Sequence, residues 1–166
     1  MADAYVAALR ILQHRWNSIA ELRRKLARKE FTGDEIDGAI EKLTSEGWLD
    51  DERFAGALVR TKTRRRVGPM RIRQELQAAG VGRETAARAI AENVDRETEL
   101  EQLRALCEKR NRILVRRLGD DFLTTDEGRN KLVGYLLKQG YDAALVLSVV
   151  RDLTRENRSA DHQRDP

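Results

Sequence analysis

The residues that could do covalent or acid–base chemistry here are two carboxylate pairs, Asp50-Asp51 and Asp120-Asp121, a single cysteine and two histidines. Asp50 and Asp51 open a helix, where consecutive side chains diverge by about 100°. They cannot share a proton as a general acid/base dyad without outside partners. A carboxylate at such a place instead accepts exposed backbone N–H groups and faces the positive end of the helix dipole. Capping is therefore the role read for this pair, and Asp120-Asp121 reads as loop residues. Cys107, the only cysteine, stands among helix-spaced Leu103 and Leu106 and reads as a packed thiol. A lone cysteine also excludes an internal disulfide and a Cys-rich zinc site. His14 and His162 stand apart, and no His/Asp/Glu cluster has metal-ligand spacing. Neither the Walker-type nor the dinucleotide-type glycine-rich phosphate loop occurs. No catalytic residue, metal or cofactor is expected.

The basic residues are more informative. Arg23, Arg24, Lys25 and Arg28 flank one helix, with Lys29 beside them. Arg60, Lys62, Arg64, Arg65, Arg66, Arg71 and Arg73 surround the next turn and helix, and Arg116 and Arg117, with Arg110 and Arg112, repeat the theme further on. Two readings stand: a solvated helix face, or a surface for phosphates or acidic protein. Recurrence near equivalent places supports the second. The formal charge of +4 permits a polyanionic partner without demanding one. Trp16, Trp48, Phe54 and Tyr135 read as packing residues rather than base-stacking platforms.

The elements that must position these residues are helical. Aromatic residues make up only 5% of the chain and charged residues 36%, with much Ala, Leu, Arg and Glu, which favours an all-α protein. A first helix places Tyr5, Leu9 and Leu12 at helical spacing. Ser18 with Glu21, Thr32 with Glu35 and Thr124 with Glu127 are capping-box pairs that start later helices. Gly47 closes one helix, and Asp50 caps the next. Pro69 suits a first helical position, where its missing N–H is not needed. A polar helix covers about 96–110. Residues 111–124 are ambiguous, with Ile113, Leu114, Val115 and Leu118 extending the helix and Gly119 breaking it. A last helix covers about 142–153, and from Glu156 the polar chain reads as a loose tail.

An apolar frame recurs three times. Around Phe31, Val81 and Tyr141, the positions five and nine residues earlier hold Leu26/Leu76/Leu136 and Leu22/Ile72/Leu132. The positions five and nine later hold Ile36/Ala86/Val146 and Ile40/Ile90/Val150. One match is unremarkable among amphipathic helices, but a shared frame in three places indicates tandem repeats. The expected organisation is all-α: three three-helix repeats over 1–49, 50–94 and 95–155, the third with an insertion, then a disordered tail over 156–166. A three-helix unit of that size buries too little apolar surface to stand alone, so an elongated, curved, solenoid-like array is expected. Of the helices, the third ones are poor readers of a DNA groove. Asp34-Glu35-Ile36-Asp37-Gly38-Ala39-Ile40-Glu41 is acidic and 144–150 is apolar.

Three motifs, in order, resemble the RecX family of regulatory proteins: Arg15-x-x-Ser18-x-x-Glu21-Leu22-x-x-Lys25-Leu26, Gly47-Trp48-Leu49-Asp50-Asp51-x-Arg53-Phe54-Ala55, and Gly68-Pro69-x-Arg71-Ile72-x-x-Glu75-Leu76. They cover roughly residues 5–94; the third repeat fits only in its apolar frame. Trp48 stands where the family often has tyrosine, and Arg66-Val67-Gly68 where a second glycine often precedes the Gly-Pro. The lack of a membrane-length apolar run and of a signal-peptide core points to a cytoplasmic protein, and a monomer is expected. The resemblance implies a non-enzymatic regulator of the RecA recombinase. Such a protein binds RecA and RecA–single-stranded-DNA filaments, inhibiting recombinase, ATPase and coprotease activity in DNA repair and the SOS response. Contact with single-stranded DNA itself is compatible with it, and no membrane is involved. The alternative is a helical nucleic-acid-binding module or transcription regulator acting without RecA.

Overall fold

The computed structural model describes residues 3–119, 122–123 and 125–162, with side chains to 157. Nine helices run through them: α1 (Ala4–His14), α2 (Ile19–Ala27), α3 (Gly33–Ser45), α4 (Asp51–Arg64), α5 (Pro69–Ala78), α6 (Arg83–Asn93), α7 (Arg96–Leu118), α8 (Asp126–Lys138) and α9 (Ala143–His162). No strand occurs among the described residues. Two compact units form, Met1–Thr61 with Arg73–Asn93 and Lys62–Ile72 with Val94–Pro166. Helices α4 and α5 each contribute residues to both.

Caps start these helices largely as the sequence dictates. Asp3, Ser18, Thr32, Asp95 and Thr125 each accept a backbone N–H of the following turn. Thr32 and Glu35 make the full reciprocal box. At Ser18 only half forms, because the Glu21 carboxylate is held by Arg15 at 3.0 Å. Thr124 and Asp120-Asp121 lie outside the described residues; the cap of α8 is Thr125. The ambiguous stretch after 110 resolves as helix, since α7 runs unbroken to Leu118 and stops at Gly119 with φ +97°. The last helix passes the expected stop at 153 and continues to His162, so the polar stretch from Glu156 is helical that far.

The apolar frame is the core. Fourteen of its fifteen positions are buried, the exception being half-buried Phe31. In the first unit Leu22, Leu26, Ile36 and Ile40 pack with Ala8, Leu43 and Leu49. In the second, Leu132, Leu136, Tyr141, Val146 and Val150 pack with Leu103, Leu106, Cys107 and Leu114. Two expected core residues are not core: Trp16 is 51% exposed and Trp48 57%. Phe54 is buried and Tyr135 half-buried, as expected.

Each unit contains one junction built to the same plan. The start of a middle helix docks on the end of the next repeat's middle helix. In the first unit Ser18 Oγ, ahead of α2, donates to the carbonyl of Ala79, just past α5. Arg24 of α2 donates to the carbonyl of Ala78 at 3.0 Å. In the second unit the N–H groups of Gly68 and Met70, at the start of α5, donate to the carbonyls of Gln139 and Gly140 at 2.7 and 3.0 Å. Arg71 reaches the carbonyl of Lys138 at 3.5 Å. Helix ends leave N–H groups at one terminus and C=O groups at the other; the second junction pairs the two directly, whereas in the first the side chains of Ser18 and Arg24 serve the carbonyls. Both junctions also bring the positive end of one helix dipole to the negative end of another.

Such close approach leaves no room for a Cβ on the receiving turn. Gly80 and Gly140 have φ +82° and +89°, and a Cβ there would lie 2.3 Å from that of Ala20 and 2.4 Å from that of Arg71, respectively. The equivalent residue in the first repeat is Glu30, also left-handed at φ +65° but exposed. Its side chain is exposed there, so space does not demand glycine, and only the backbone strain remains. The start of α8 is held by the turn before it: Arg129 donates to the carbonyl of Leu123, and Phe122 and Leu123 are buried.

Two stability predictions follow from these environments. Leu76→Ala, at a fully buried position, is expected to lower unfolding free energy by about 2–5 kcal/mol; an unchanged urea midpoint would remove Leu76 from the core. Glu30→Gly is expected to gain up to about 1 kcal/mol, whereas Gly80→Ala loses at least about 1–2 kcal/mol. Equal effects of the two in urea unfolding would contradict the junction geometry.

Candidate partner-binding surface

The carboxylate pair caps two different helices. Asp50 Oδ1 accepts from the N–H groups of Glu52 and Arg53 at 2.8 and 3.1 Å, starting α4. Asp51 Oδ1 turns away and accepts from Ile19 N at 2.9 Å, capping α2 of the preceding repeat. Burial holds the Asp51 carboxyl above the ordinary range; the hydrogen bond from Ile19 opposes this and the Asp50 charge adds to it. The two acids are therefore parts of one seam, where buried Leu49 and Phe54 also lie. Cys107 is buried, and burial, with the charge of Glu108, pushes its thiol up to about 12, so it stays protonated at neutral pH. Among the described residues no group of three His, Cys, Asp or Glu could hold a metal ion.

The cationic residues divide into those the fold uses and those it leaves outward. Arg24 and Arg71 serve the junctions. Arg23 is ion-paired with Asp37. Arg60 donates to Asn93 Oδ1 at 3.2 Å, and Lys62 is half-buried and engaged. Lys25 donates to Asn17 Oδ1 at 2.6 Å; burial, then the charge of Arg15, lowers its pKa. Arg28 is exposed and borders a hollow of about 410 Å³ with His14, Arg15, Lys25 and Lys29.

In the second unit Arg64, Arg65 and Arg66 are exposed at the end of α4 and in its turn, with no carboxylate partner among the described residues. Arg66 holds a left-handed backbone, φ +58°. Arg116 and Arg117 end α7, exposed, beside the negative end of its dipole. Arg73, within the first unit, is exposed. Exposed guanidinium groups without internal partners keep their donors for phosphate or carboxylate.

Sequence reasoning missed one surface. Trp16 and Trp48, with Leu9, Leu12 and Gln13, line an open hollow of about 400 Å³ in the first unit. The signal was present in α1, whose buried Ala4 and Ala8 already fill its inward face. Leu9 and Leu12 pack on the core but stay half-buried, and Trp16 follows at the same spacing just past the helix end, so the apolar stripe runs on beyond the buried face.

Comparisons with known proteins place these features. Residues 4–43 match the family model described as RecX, first three-helix domain, and residues 50–90 that described as RecX, second three-helix domain. The regulatory protein RecX of Trichlorobacter lovleyi is 36% identical over 149 residues, covering 87% of this chain and 92% of that protein. That of Serratia proteamaculans is 30% identical over 177 residues, covering 93% and 100%. The crystal structure of RecX from Lactobacillus salivarius superimposes with a TM-score of 0.77 at 26% identity, over 90% of this chain and 94% of that one.

The seam assigned to Asp51 is testable. Asp51→Ala removes the acceptor for Ile19 and is expected to lower stability by about 0.5–2 kcal/mol, while Asp51→Asn, which keeps an acceptor oxygen, loses less. A folded-state pKa above the unfolded value means that the native state binds the extra proton, so this carboxyl's contribution falls as pH rises through the raised pKa. The stability of the wild type relative to Asp51→Asn should therefore be greater in mild acid than at neutral pH. The opposite trend in urea unfolding would show that Asp51 is not held in this buried position.

Proposed function

This chain belongs to the RecX family of regulatory proteins, and from that premise we propose that it binds RecA and RecA–single-stranded-DNA filaments and inhibits them. The regulated activities would be ATP hydrolysis, strand exchange and coprotease action, with consequences for DNA repair and the SOS response. The observation that carries this reading is the near full-length match to RecX regulatory proteins, 36% identity over 149 residues. The local chemistry supports it. The carboxylates are capping groups and the thiol is protonated, so nothing at these positions suits turnover. Exposed arginines are left for an acidic or phosphate-bearing partner.

In this reading the protein acts stoichiometrically, as a cytoplasmic monomer without a cofactor. Arg64, Arg65, Arg66, Arg116 and Arg117, with Arg28 and Arg73, are the partner-facing cations. The other cations expected from the sequence, Arg23, Arg24, Lys25, Arg60, Lys62 and Arg71, act in holding the fold and the junctions. Among the described residues no helix is long and apolar enough to cross a membrane.

Addition of the protein is expected to slow single-stranded-DNA-dependent ATP hydrolysis by RecA at or below equimolar ratio, and no effect at tenfold excess would contradict the reading. Reversing Arg64, Arg65 and Arg66 to glutamate should weaken binding to the filament and flatten its salt dependence, with helicity retained. Unchanged affinity and salt slope would remove these arginines from the interface. Tight, sequence-selective binding to duplex DNA without RecA would favour a nucleic-acid-binding module instead.

A further inference from the structure

The two exposed tryptophans have no part in the core. Tryptophan is a large apolar body, and large exposed apolar residues facing one hollow mark interaction sites more often than chance exposure. The hollow they border has Leu9 and Leu12 in its lining and Gln13 as its one polar side chain apart from the indole N–H groups. That lining discriminates between occupants. A nucleic-acid base stacked there would bring its polar edges against leucine methyls with little to satisfy them, an unfavourable burial. An aliphatic or aromatic side chain meets no such penalty and gains from the apolar area removed from water.

The charge around it narrows the partner further. Arg53 lies over the Trp16 ring, 5.6 Å from its centroid. On the opposite flank of α1, Arg10, His14 and Lys29 border a second hollow, which Arg28 also approaches through the adjoining one. Arg10, Arg28 and Lys29 have no carboxylate partner among the described residues. Helix α1 thus stands between an apolar hollow and a cationic flank. The complementary ligand is a protein segment carrying an apolar anchor with acidic residues beside it.

We propose that the hollow between Trp16 and Trp48 is a protein-docking pocket that takes an apolar side chain from an acidic segment of a RecA protomer. The assignment of the protomer rests on the functional reading above; the choice of protein over nucleic acid rests on the lining.

The test uses the full chain with Trp16→Ala and Trp48→Ala together, measuring affinity for RecA–single-stranded-DNA filaments and for the same naked DNA. Loss of about tenfold or more in filament affinity is expected, with naked-DNA binding and the thermal midpoint unchanged. Because these are the chain's only tryptophans, 5-fluorotryptophan labelling reports on the unmutated pocket as well. Both fluorine resonances should lose their solvent isotope shift on adding filament but keep it on adding DNA alone. Filament affinity unchanged in the variant, or resonances that stay solvent-exposed on the filament, would overturn the pocket while leaving the regulator reading intact. A parallel fall in naked-DNA binding would make the tryptophans base-stacking groups and also overturn it. A wild-type chain that does not engage filament at all would defeat the functional reading, and the RecA assignment with it.

Discussion

The contact on which the rest of the structure depends is the meeting of helix ends between successive middle helices. A three-helix repeat of this size has a small core, and its middle helix ends in unpaired carbonyls. Docking the start of α2 beside Ala78 and Ala79, and the start of α5 on Gln139 and Gly140, resolves both deficits. Backbone groups are paired, apolar faces are brought close, and two arginines are drawn in as donors. The approach is close enough that glycine is required on the receiving turn, which is why Gly80 and Gly140 stand where they do.

This constraint explains how much of the fold was legible in the sequence. The frame around Phe31, Val81 and Tyr141 was readable because every repeat needs the same inward positions, and fourteen of the fifteen proved buried. Two departures lie in the first repeat. Phe31 is half-buried, and Glu30 holds a left-handed backbone while exposed to solvent. The ambiguity after 110 came from a helix whose apolar residues are sparse and whose stop is Gly119. Trp16 and Trp48 were misread because residue type favours burial, whereas both lie in turns past a helix end, Trp16 after α1 and Trp48 after α3, where their rings face solvent.

Which cations the fold uses and which it leaves outward was not legible in the sequence. A count of cations does not distinguish an arginine that caps a carbonyl from one that faces water. Arg24 and Arg71 sit in the same basic runs as Arg28 and Arg73, yet they serve the junctions. Arg64, Arg65 and Arg66 remain outward, at a helix end where their own macrodipole favours them. The Asp50-Asp51 pair shows the same division at shorter range: one acid starts its own helix and its neighbour caps the helix of the preceding repeat. Chemistry suggested by residue type alone is thus consumed by architecture, and what remains outward is a set of arginines.

Amide hydrogen exchange of the full chain, free and on RecA–single-stranded-DNA filaments, tests the central claim most directly, that a junction-held scaffold presents a partner-binding surface. The account predicts core-like protection of the Gly68 and Met70 amides in the free chain, and new protection on the filament within residues 9–16, 48–53 and 60–66. Rapid exchange at Gly68 and Met70 in the free chain, or a filament that adds no protection in those segments, would contradict it.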